Sequence, residues 1–465
     1  MTTQEYIKQH RNDDVYRLAL SKTPEGVNLQ YALQQISAYQ ILTKKVPSWA
    51  ECNELIFPRQ LSLEQSSSEL TARYKAELIR DFMGNQPFTH IDLTGGMGID
   101  CYFIAQHTSH SHYVELNPEL CQIAQHNFAH LNPNISVHNT TAEEFLNQIT
   151  EYRLQSTDNR VQSTDNKLQS TDNRLQSTDN RVQSTDDRVQ STEHRLQITD
   201  YRLETTDNSS LLIPHSSFLI YLDPARRGDH GQKLVSIADC QPNVIELLPQ
   251  MFELTDKVVV KLSPMLDITR AINELPHIEK LYVISVNNEC KELLLFINKK
   301  YNTETQIHAI NLKSTINNQQ STDNPTHFSG SISHESALSL SYAHEVGKYL
   351  YEPYAAHLKS GLYKTLAEKY NVKKLHQHSH LYTSTELNND FPGRKFEVKE
   401  VVPFDKKSAK TLFKSLKQAN LTTRNFPLTV SELRTQYKIK DGGETYIFAT
   451  TLHDDSKVLI VCQKA

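Results

Sequence analysis

The sequence has few cysteines and no long apolar run, and both absences narrow the class of protein. Its six cysteines are scattered along 465 residues, and none forms a Cys-x-x-Cys pair. A zinc ribbon or a dithiol redox motif is therefore not supported, and a reducing setting is expected. No segment reaches the ~20 apolar residues that a membrane helix needs. The polar start, MTTQEYIKQHRNDD, shows no signal peptide. We expect a cytoplasmic protein with no metal and no membrane partner.

The net charge of −5 conceals an asymmetry between the two ends of the chain. Residues 346–465 carry 20 Lys and Arg against 12 Asp and Glu, whereas the rest of the chain is acidic. A basic C-terminal part on an acidic body indicates a face for an anionic partner. A solvated, lysine-rich surface with no partner explains the same charge pattern, so the two interpretations stay open on charge alone.

A heptapeptide repeat occupies the middle of the sequence. Eight tandem copies, such as RVQSTDN, run from Arg153 to Asn208. Each copy has one Leu or Val, whereas a coiled coil needs two apolar positions in every seven residues. Its Ser, Thr, Asp and Asn side chains also compete for backbone hydrogen bonds. The repeat cannot bury enough apolar surface to offset the entropy of ordering, so we predict a solvated, largely disordered insertion.

The segment before the repeat alternates strands, helices and one glycine turn. A short apolar strand ends at Asp92 and is followed by Thr94-Gly95-Gly96-Met97-Gly98, a helix, a second strand that ends at Glu115, and a second helix. This order is typical of the nucleotide-binding half of a doubly wound sheet, in which an acid after the second strand accepts the ribose hydroxyls. The spacing is not Gly-x-Gly-x-x-Gly, so the dinucleotide fingerprint is absent. A purely structural tight turn is the alternative.

The segment after the repeat contains a further apolar strand, which ends in Asp223-Pro224-Ala225-Arg226. Three more predicted strands and the buried run KVVVKL follow it. Lys261 and Ser263, at the end of that run, are further candidates for the same cleft, as are four residues of the helix before the glycine turn: Ser68, Glu69, Arg73 and Lys75. Structural roles explain these six residues equally well or better.

These motifs together resemble class I S-adenosylmethionine-dependent methyltransferases. The segment DLTGGMG is similar to their motif I, and DPAR takes the place of their Asp-Pro-Pro-x motif after the fourth strand. Further segments in order, including SSELTARYKAE, VKLSPMLD, NECKELL, GKYLYEPYAAHLKSGLYKTLA and FPGRKF, resemble bacterial (Bacteroidota-type) enzymes of this class with C-terminal ferredoxin-like and THUMP-like domains. The resemblance covers nearly the whole chain apart from the repeat and the stretch 313–343.

The resemblance implies an α/β fold and a set of domains. We expect a helical N-terminal segment at 1–80, a Rossmann-like methyltransferase domain with an antiparallel last strand at 81–312, and a linker at 313–345. A small α+β module follows, with a ferredoxin-like domain at 346–398 and a THUMP-like domain at 399–465. The repeat, 153–208, would interrupt the methyltransferase domain between its third and fourth strands.

The resemblance also implies the cofactor and the site residues. S-adenosylmethionine would be the methyl donor, and its predicted contacts are Asp92, Thr94, Gly95, Gly96, Gly98, Glu115, Asn117, Ala142 and Glu143. The predicted catalytic residues are Asp223, Pro224 and Arg226. The familiar motif for exocyclic amines carries a second proline and an aromatic residue, and both are missing here, which puts a base-amine acceptor in doubt.

The THUMP-like resemblance implies an RNA partner, either tRNA or rRNA. The segment DKKSAKTLFKSLKQ independently predicts an amphipathic helix with an apolar stripe and a basic stripe, the latter formed by Lys406, Lys410, Lys414 and Lys417. Such a stripe suits a phosphate backbone. Three alternatives remain open: an RNA-binding protein with a degenerate methyltransferase fold, a methyltransferase with a non-RNA substrate, and a nicotinamide-dependent oxidoreductase.

Overall fold

The computed structural model describes residues 1–58, 65–84, 86–131, 133–152, 217–226, 236–314 and 325–465. The heptapeptide repeat lies outside the described residues, so its disorder stays a prediction.

The N-terminal segment is helical, as predicted. Among the described residues its helices are α1 Thr3–His10, α2 Val15–Leu20, α3 Leu29–Lys45, α4 Pro47–Ala50 and α5 Glu69–Met83, which leads to the first strand. Helix α3 packs against α1 and α2 through Ala32 and Ile36, and Leu42 in its C-terminal half packs into the core that also contains Phe88 of the first strand. Helix α5 begins at Glu69, because Ser68 accepts a hydrogen bond from the Thr71 amide and acts as its N-cap.

A nine-stranded mixed sheet forms the centre of the molecule. In chain order its strands are β1 Phe88–Asp92, β2 His110–Glu115, β3 Ile135–Asn139, β4 Ser217–Leu222, β7 Lys257–Leu262, β8 Ile278–Val286, β9 Glu289–Asn298, β10 Gln306–Leu312 and β11 Thr326–Gly330. Their order across the sheet is β11-β10-β8-β9-β7-β4-β1-β2-β3. Strands β3, β2, β1, β4 and β7 are parallel, whereas β9 runs antiparallel to both β7 and β8. The predicted parallel sheet with an antiparallel closing strand is confirmed.

Helices cover the two faces of this sheet and complete its crossovers. They are α6 Ile99–Ala105, α7 Pro118–Leu131, α8 at 142–152, α9 Val244–Leu254 and α10 Ile268–Glu274. Between β4 and α9, two short strands, β5 Ala225–Arg226 and β6 Cys240–Gln241, pair antiparallel. Because β1, β2, β3, β4 and β7 all run in one direction, their carboxyl ends meet at one edge of the sheet, where ligands of open α/β sheets bind.

The stretch 313–345 is more than the linker that the sequence predicted. It contains β11, which pairs antiparallel with β10, and helix α11 Ile332–Ala337. Phe328 in β11 is 1% exposed and belongs to the main core. The strand was missed because THFSG has one large apolar residue among polar ones. Its pairing partner β10, and not its own pattern, makes it a strand.

The C-terminal part forms a second sheet of seven strands, ordered β13-β14-β12-β15-β18-β17-β16. The strands are β12 Tyr349–Pro353, β13 Lys373–Lys374, β14 Tyr382–Ser384, β15 Gly393–Pro403, β16 Asn420–Arg424, β17 Tyr446–Thr451 and β18 Lys457–Lys464. The helices are α12 Ala355–Lys359, α13 Tyr363–Lys369, α14 Lys406–Ser415 and α15 Val430–Tyr437. The boundary predicted at 398/399 falls inside β15, which pairs with β12 on one side and β18 on the other.

The two sheets share one hydrophobic core. Tyr351 and Leu366 of the C-terminal part pack in the same buried cluster as Leu293 and Leu295 of β9. The amide of Ala355 also donates to Asn288 Oδ1 at 2.7 Å, which anchors α12 to the turn between β8 and β9. The C-terminal module is therefore fixed to the nine-stranded sheet by apolar burial as well as by hydrogen bonds.

Candidate active site

The glycine turn after β1 lies at the carboxyl edge of the large sheet. The Gly95 amide donates to Val114 O at 2.8 Å, and the Leu93 amide donates to Tyr221 O at 3.0 Å. The turn is thus held between β2 on one side and β4 on the other. Gly98 has φ +76 and caps the start of α6.

Two of the three predicted cofactor glycines are required by packing. A Cβ on Gly95 would stand 2.2 Å from the Tyr113 ring, and one on Gly98 would stand 2.6 Å from the Phe128 ring. Gly96 differs, because it has φ +53 and its nearest neighbour would be a backbone oxygen at 3.8 Å. Gly96 is therefore the glycine whose surroundings leave room for a ligand, and its left-handed backbone favours glycine in any case.

Glu115 turns back toward the glycine turn. Its Oε2 accepts from the Gly96 amide at 2.9 Å, and its Oε1 accepts from the Asn117 amide at 2.8 Å. Asn117 itself accepts from the Glu119 amide at 2.9 Å and so caps α7. Leu116, between them, is 64% exposed. A half-buried carboxylate beside an exposed apolar side chain offers acceptors for ribose hydroxyls and a surface for an adenine ring.

Ala142 and Glu143 begin α8, after β3. Ala142 is buried in the main core, whereas Glu143 is exposed. Since β1 and β2 lie between β4 and β3, the carboxyl ends of β3 and β4, which Glu143 and Asp223 follow, are about 14 Å apart across three strand spacings. Their contact with one cofactor stays a prediction.

Thr94 joins the two halves of the site that the repeat separates in sequence. Its Oγ1 accepts from the Asp223 amide at 2.6 Å, and its own amide donates to Asp92 Oδ1 at 3.0 Å. Asp92 is 1% exposed. Burial raises the pKa of the Asp92 carboxyl to about 8, against the opposing effect of the Thr94 hydrogen bond. A hydrogen bond therefore connects the segment after β4, which contains Asp223, directly to the glycine turn after β1.

Asp223 forms the exposed end of a group of five charged side chains, of which the other four are buried. We call this group the charged cluster; its members are Lys75, Asp100, Lys261, Glu292 and Asp223. Lys261 forms an ion pair with Asp223 and lies 3.3 Å from Asp100 Oδ2. Lys75, which is 0% exposed, contacts Asp100 at 2.9 Å and Glu292 at 3.2 Å. The Asp223 side chain is 38% exposed and is the end of the cluster that faces solvent.

Asp100 is the centre of the charged cluster. Its Oδ2 also accepts from Ser67 Oγ at 2.8 Å and from the Tyr221 hydroxyl at 2.9 Å. Burial opposes the charge of Asp100, but the neighbouring lysines outweigh burial and hold its pKa below the ordinary range. For Lys261, burial likewise favours the neutral form, yet Asp223, Asp100 and Glu292 raise its pKa. Burial raises the pKa of Glu292. Two ammonium groups are thus held among carboxylates.

The other two predicted catalytic residues lie next to Asp223. Pro224 is buried, and Arg226 pairs with Cys240 in the short β5–β6 ladder. This ladder holds the backbone after Asp223 at the edge of the sheet.

The predicted basic stripe lies on α14 of the C-terminal sheet. Asp405 caps this helix by accepting from the Lys407 and Ser408 amides, and Ala409 and Phe413 are buried against the sheet. Lys406, Lys410 and Lys414 lie on the exposed side of α14. Lys417 is exposed too, but the helix ends at Ser415, so Lys417 continues the basic surface from the loop.

The sequence analysis missed two of the five members of the charged cluster, Asp100 and Glu292. It predicted Asp223 as catalytic and named Lys75 and Lys261 as candidates for which structural roles were equally good or better explanations. A signal was present for Lys261, because it interrupts the apolar run VVVKL, whereas Glu292 directly precedes the apolar run LLLFI. A charged residue inside a buried strand needs a partner, and it therefore marks a site.

The fold and the site define a class I methyltransferase domain with a C-terminal ferredoxin-like and THUMP-like module. Family models match residues 349–392, as a ferredoxin-like domain, and residues 393–464, as a THUMP domain-like region. The crystal structure of a "putative methyltransferase from Porphyromonas gingivalis W83" is similar over the whole chain: 31% identity, TM-score 0.76, 100% of this chain and 97% of the other. The chain belongs to the same family as that Bacteroidota protein.

Other solved methyltransferases are much more distant. An O-methyltransferase from Bacillus cereus in complex with SAH has 10% identity and TM-score 0.29, covering 63% of this chain and all of the other. A "putative class i s-adenosylmethionine-dependent methyltransferase" from Listeria monocytogenes has 8% identity and TM-score 0.33, covering 67% of this chain and 92% of the other. A comparison with curated proteins found no match.

The sequence analysis predicted neither a membrane partner nor a metal. Across the described parts of the chain, every helix is too short or too polar to cross a bilayer. In the same residues, no three or more His, Cys, Asp and Glu side chains are grouped to hold a metal ion.

Proposed function

We propose that this protein transfers a methyl group from S-adenosylmethionine to RNA. The observation that carries the proposal is the link from Glu115 through the glycine turn and Thr94 to Asp223. This link joins an acceptor for the ribose hydroxyls to a carboxylate beside the reacting groups. Membership of the methyltransferase family supports the same reaction class.

The residues at the carboxyl edge fit the methyl donor. Glu115 would hold the ribose hydroxyls, and Leu116 would cover one face of the adenine. The open side of Gly96 would leave room for the methionine part of S-adenosylmethionine. The donor brings a methyl group already activated by the sulfonium charge. The protein therefore has to align the acceptor with it and to hold or remove a proton.

The RNA partner is supported by the C-terminal module. Three lysines on the exposed face of α14 and Lys417 beyond it form a basic surface on the THUMP-like region. Each lysine that contacts a phosphate releases condensed counterions, so binding here would weaken as salt increases. The observations support tRNA and rRNA equally.

Calorimetry with the full chain tests the cofactor, and labelled methyl transfer tests the reaction. We expect micromolar-range binding of S-adenosylmethionine and none of NAD or NADP; the reverse would contradict a methyltransferase. Labelled methyl should enter bulk RNA, and Asp223→Asn should abolish its incorporation. Asp256→Asn is the matched control and should retain it, because this partly exposed carboxylate lies just before β7, at the end opposite Asp223, and pairs with Lys300. Donor binding without any transfer would favour a non-catalytic RNA-binding protein.

A further inference from the structure

We propose that the methylated atom is a hydroxyl oxygen of RNA, the ribose 2′-hydroxyl, with Asp223 as proton acceptor and Lys261 as the cation that stabilises the developing alkoxide. This inference rests on the proposed function and names its acceptor. It is carried by the placement of an ammonium and a carboxylate side by side at the reacting edge.

Different acceptors need different help from the protein. An exocyclic amine attacks through its own nitrogen and needs a base-stacking surface and hydrogen-bond acceptors. A hydroxyl is a weak nucleophile whose proton must leave as the bond forms, so it needs a base and a nearby positive charge. The motif here offers no aromatic residue after Asp223-Pro224, since Ala225 takes the next position. It offers instead a base and a nearby positive charge, which are the groups that a hydroxyl acceptor needs.

The ion pair between Lys261 and Asp223 supplies both groups at one point. The Lys261 side chain is 11% exposed, whereas that of Asp223 is 38% exposed, so the carboxylate faces solvent and the ammonium lies just behind it. A hydroxyl that donates to Asp223 would therefore place its oxygen within reach of the ammonium as well.

The rest of the charged cluster holds Lys261 in place. Lys261 Nζ donates to Ser67 Oγ at 3.2 Å and lies 3.3 Å from Asp100 Oδ2, which is itself fixed by Lys75 at 2.9 Å. These buried contacts are formed before any ligand arrives, so the ammonium needs no reorganisation during the reaction. Asp100 and Lys75 are positioning residues, because they act through Lys261.

The proposed step balances. The hydroxyl O–H bond breaks and its proton passes to the Asp223 carboxylate. The oxygen forms a bond to the methyl carbon as the carbon–sulfur bond breaks, and that electron pair stays on sulfur as the sulfonium becomes a neutral thioether. The proton leaves from the exposed Asp223 to solvent.

Alkaline hydrolysis of the labelled product identifies the acceptor atom. Full-length protein is incubated with methyl-labelled S-adenosylmethionine and bulk RNA from a strain that lacks the gene. Alkali cleaves RNA only where a free 2′-hydroxyl attacks the next phosphate, so a 2′-O-methyl group leaves an uncleaved, labelled dinucleotide. We expect the label in dinucleotides. Label in mononucleotides would overturn the hydroxyl acceptor but keep the proposed function; no label in RNA would overturn both.

Two lysines of one strand provide a matched pair of variants. Lys261→Met should lower the methyl-transfer rate constant roughly 100- to 1000-fold at saturating substrates. Lys257→Met, at the other end of β7 where Nζ donates to Phe82 O, should leave it unchanged. Equal rates in the two variants would contradict the role of Lys261.

Crystal structures of Lys261→Met and Lys257→Met test the role of Lys261 independently of activity. In a crystal structure of Lys261→Met, the Asp223 carboxylate should leave its position, whereas in Lys257→Met it should stay. Retention of S-adenosylmethionine affinity by calorimetry would show that Lys261→Met still folds. An unmoved Asp223 in Lys261→Met would overturn the ion pair as the device that places it.

Discussion

The protein uses lysine in two contrasting environments. Lys75 and Lys261 are buried at the carboxyl edge of the large sheet and are paired with carboxylates, whereas the lysines of α14 are exposed on the C-terminal sheet. Burial fixes a charge in one position and makes its loss costly, but an exposed lysine keeps its mobility and costs little to replace. The first kind suits chemistry at one atom, and the second suits a partner with many phosphates.

The largest effect on stability is expected from removing Lys75, which is buried between the carboxylates of Asp100 and Glu292. Lys75→Met should destabilise the fold by about 3–5 kcal/mol, because Asp100 and Glu292 lose a buried cation. Lys414→Met, an exposed lysine of α14, should change the free energy of unfolding by about 0.5 kcal/mol or less. Urea denaturation of both variants gives the comparison. Similar losses in the two would show that the charged cluster contributes no more than the exposed surface.

Acid should weaken the methyltransferase sheet through its buried histidines. Burial lowers the pKa of His112 to about 3 and of His138 to about 4, with smaller effects from neighbouring histidines. The folded state therefore stays unprotonated as the pH falls from about 6.5 toward 4, while the unfolded state takes up protons. Each such histidine should reduce the free energy of unfolding by up to about 1.4 kcal/mol per pH unit in this window.

Urea denaturation between pH 7 and pH 4.5 checks this slope. His138→Gln should make the slope shallower, because the unfolded variant has one site fewer to protonate. His453→Gln removes an exposed histidine, the sole histidine of residues 393–464, and serves as the control. A steeper slope in His138→Gln than in wild type would contradict the sign.

A smaller effect is expected at the exposed stripe. The double variant Lys410→Gln/Lys414→Gln should bind RNA more weakly. The slope of log affinity against log salt should become shallower by about 1.4, which corresponds to two lost phosphate contacts with single-stranded RNA. Lys8→Gln/Lys22→Gln removes two exposed charges near the N-terminus and is the charge-matched control. Equal losses in both double variants would point to net charge and not to a site on α14.

The smallest effect should follow removal of the repeat. Deletion of residues 153–208 shortens a connection, and the entropy of closing a loop changes slowly with its length. We expect an unchanged melting temperature and unchanged affinity for S-adenosylmethionine. Loss of soluble, folded protein would show that the repeat belongs to the structure.

Local patterns were enough to predict the half of the site that is continuous in sequence. The alternation of strands and helices around Gly95 and Gly96 was enough to predict the order of these elements. Glu115 lies against the glycine turn because β1 and β2 are adjacent parallel strands. These features depend on neighbours in the chain, which a pattern can show.

Long-range pairing was beyond the reach of local patterns. Lys75 and Glu292 are 217 positions apart, and their contact requires α5 and β9 to meet beneath the carboxyl edge. The packing role of Gly95 and Gly98 against Tyr113 and Phe128 was hidden for the same reason. Strand β11 exists through its pairing with β10. In each case the tertiary partner, and not the residue's own context, determines the structure.

The central claim is that the buried lysines serve the chemistry and the exposed lysines of α14 serve RNA binding. Its most direct test is to measure the single-turnover rate of methyl transfer as a function of RNA concentration. Lys261→Met should reach a much lower plateau rate at an unchanged half-saturating RNA concentration. Lys410→Gln/Lys414→Gln should reach the wild-type plateau only at higher RNA concentration. The reverse pattern, or the same change in both variants, would contradict the assignment of buried lysines to chemistry and exposed lysines to binding.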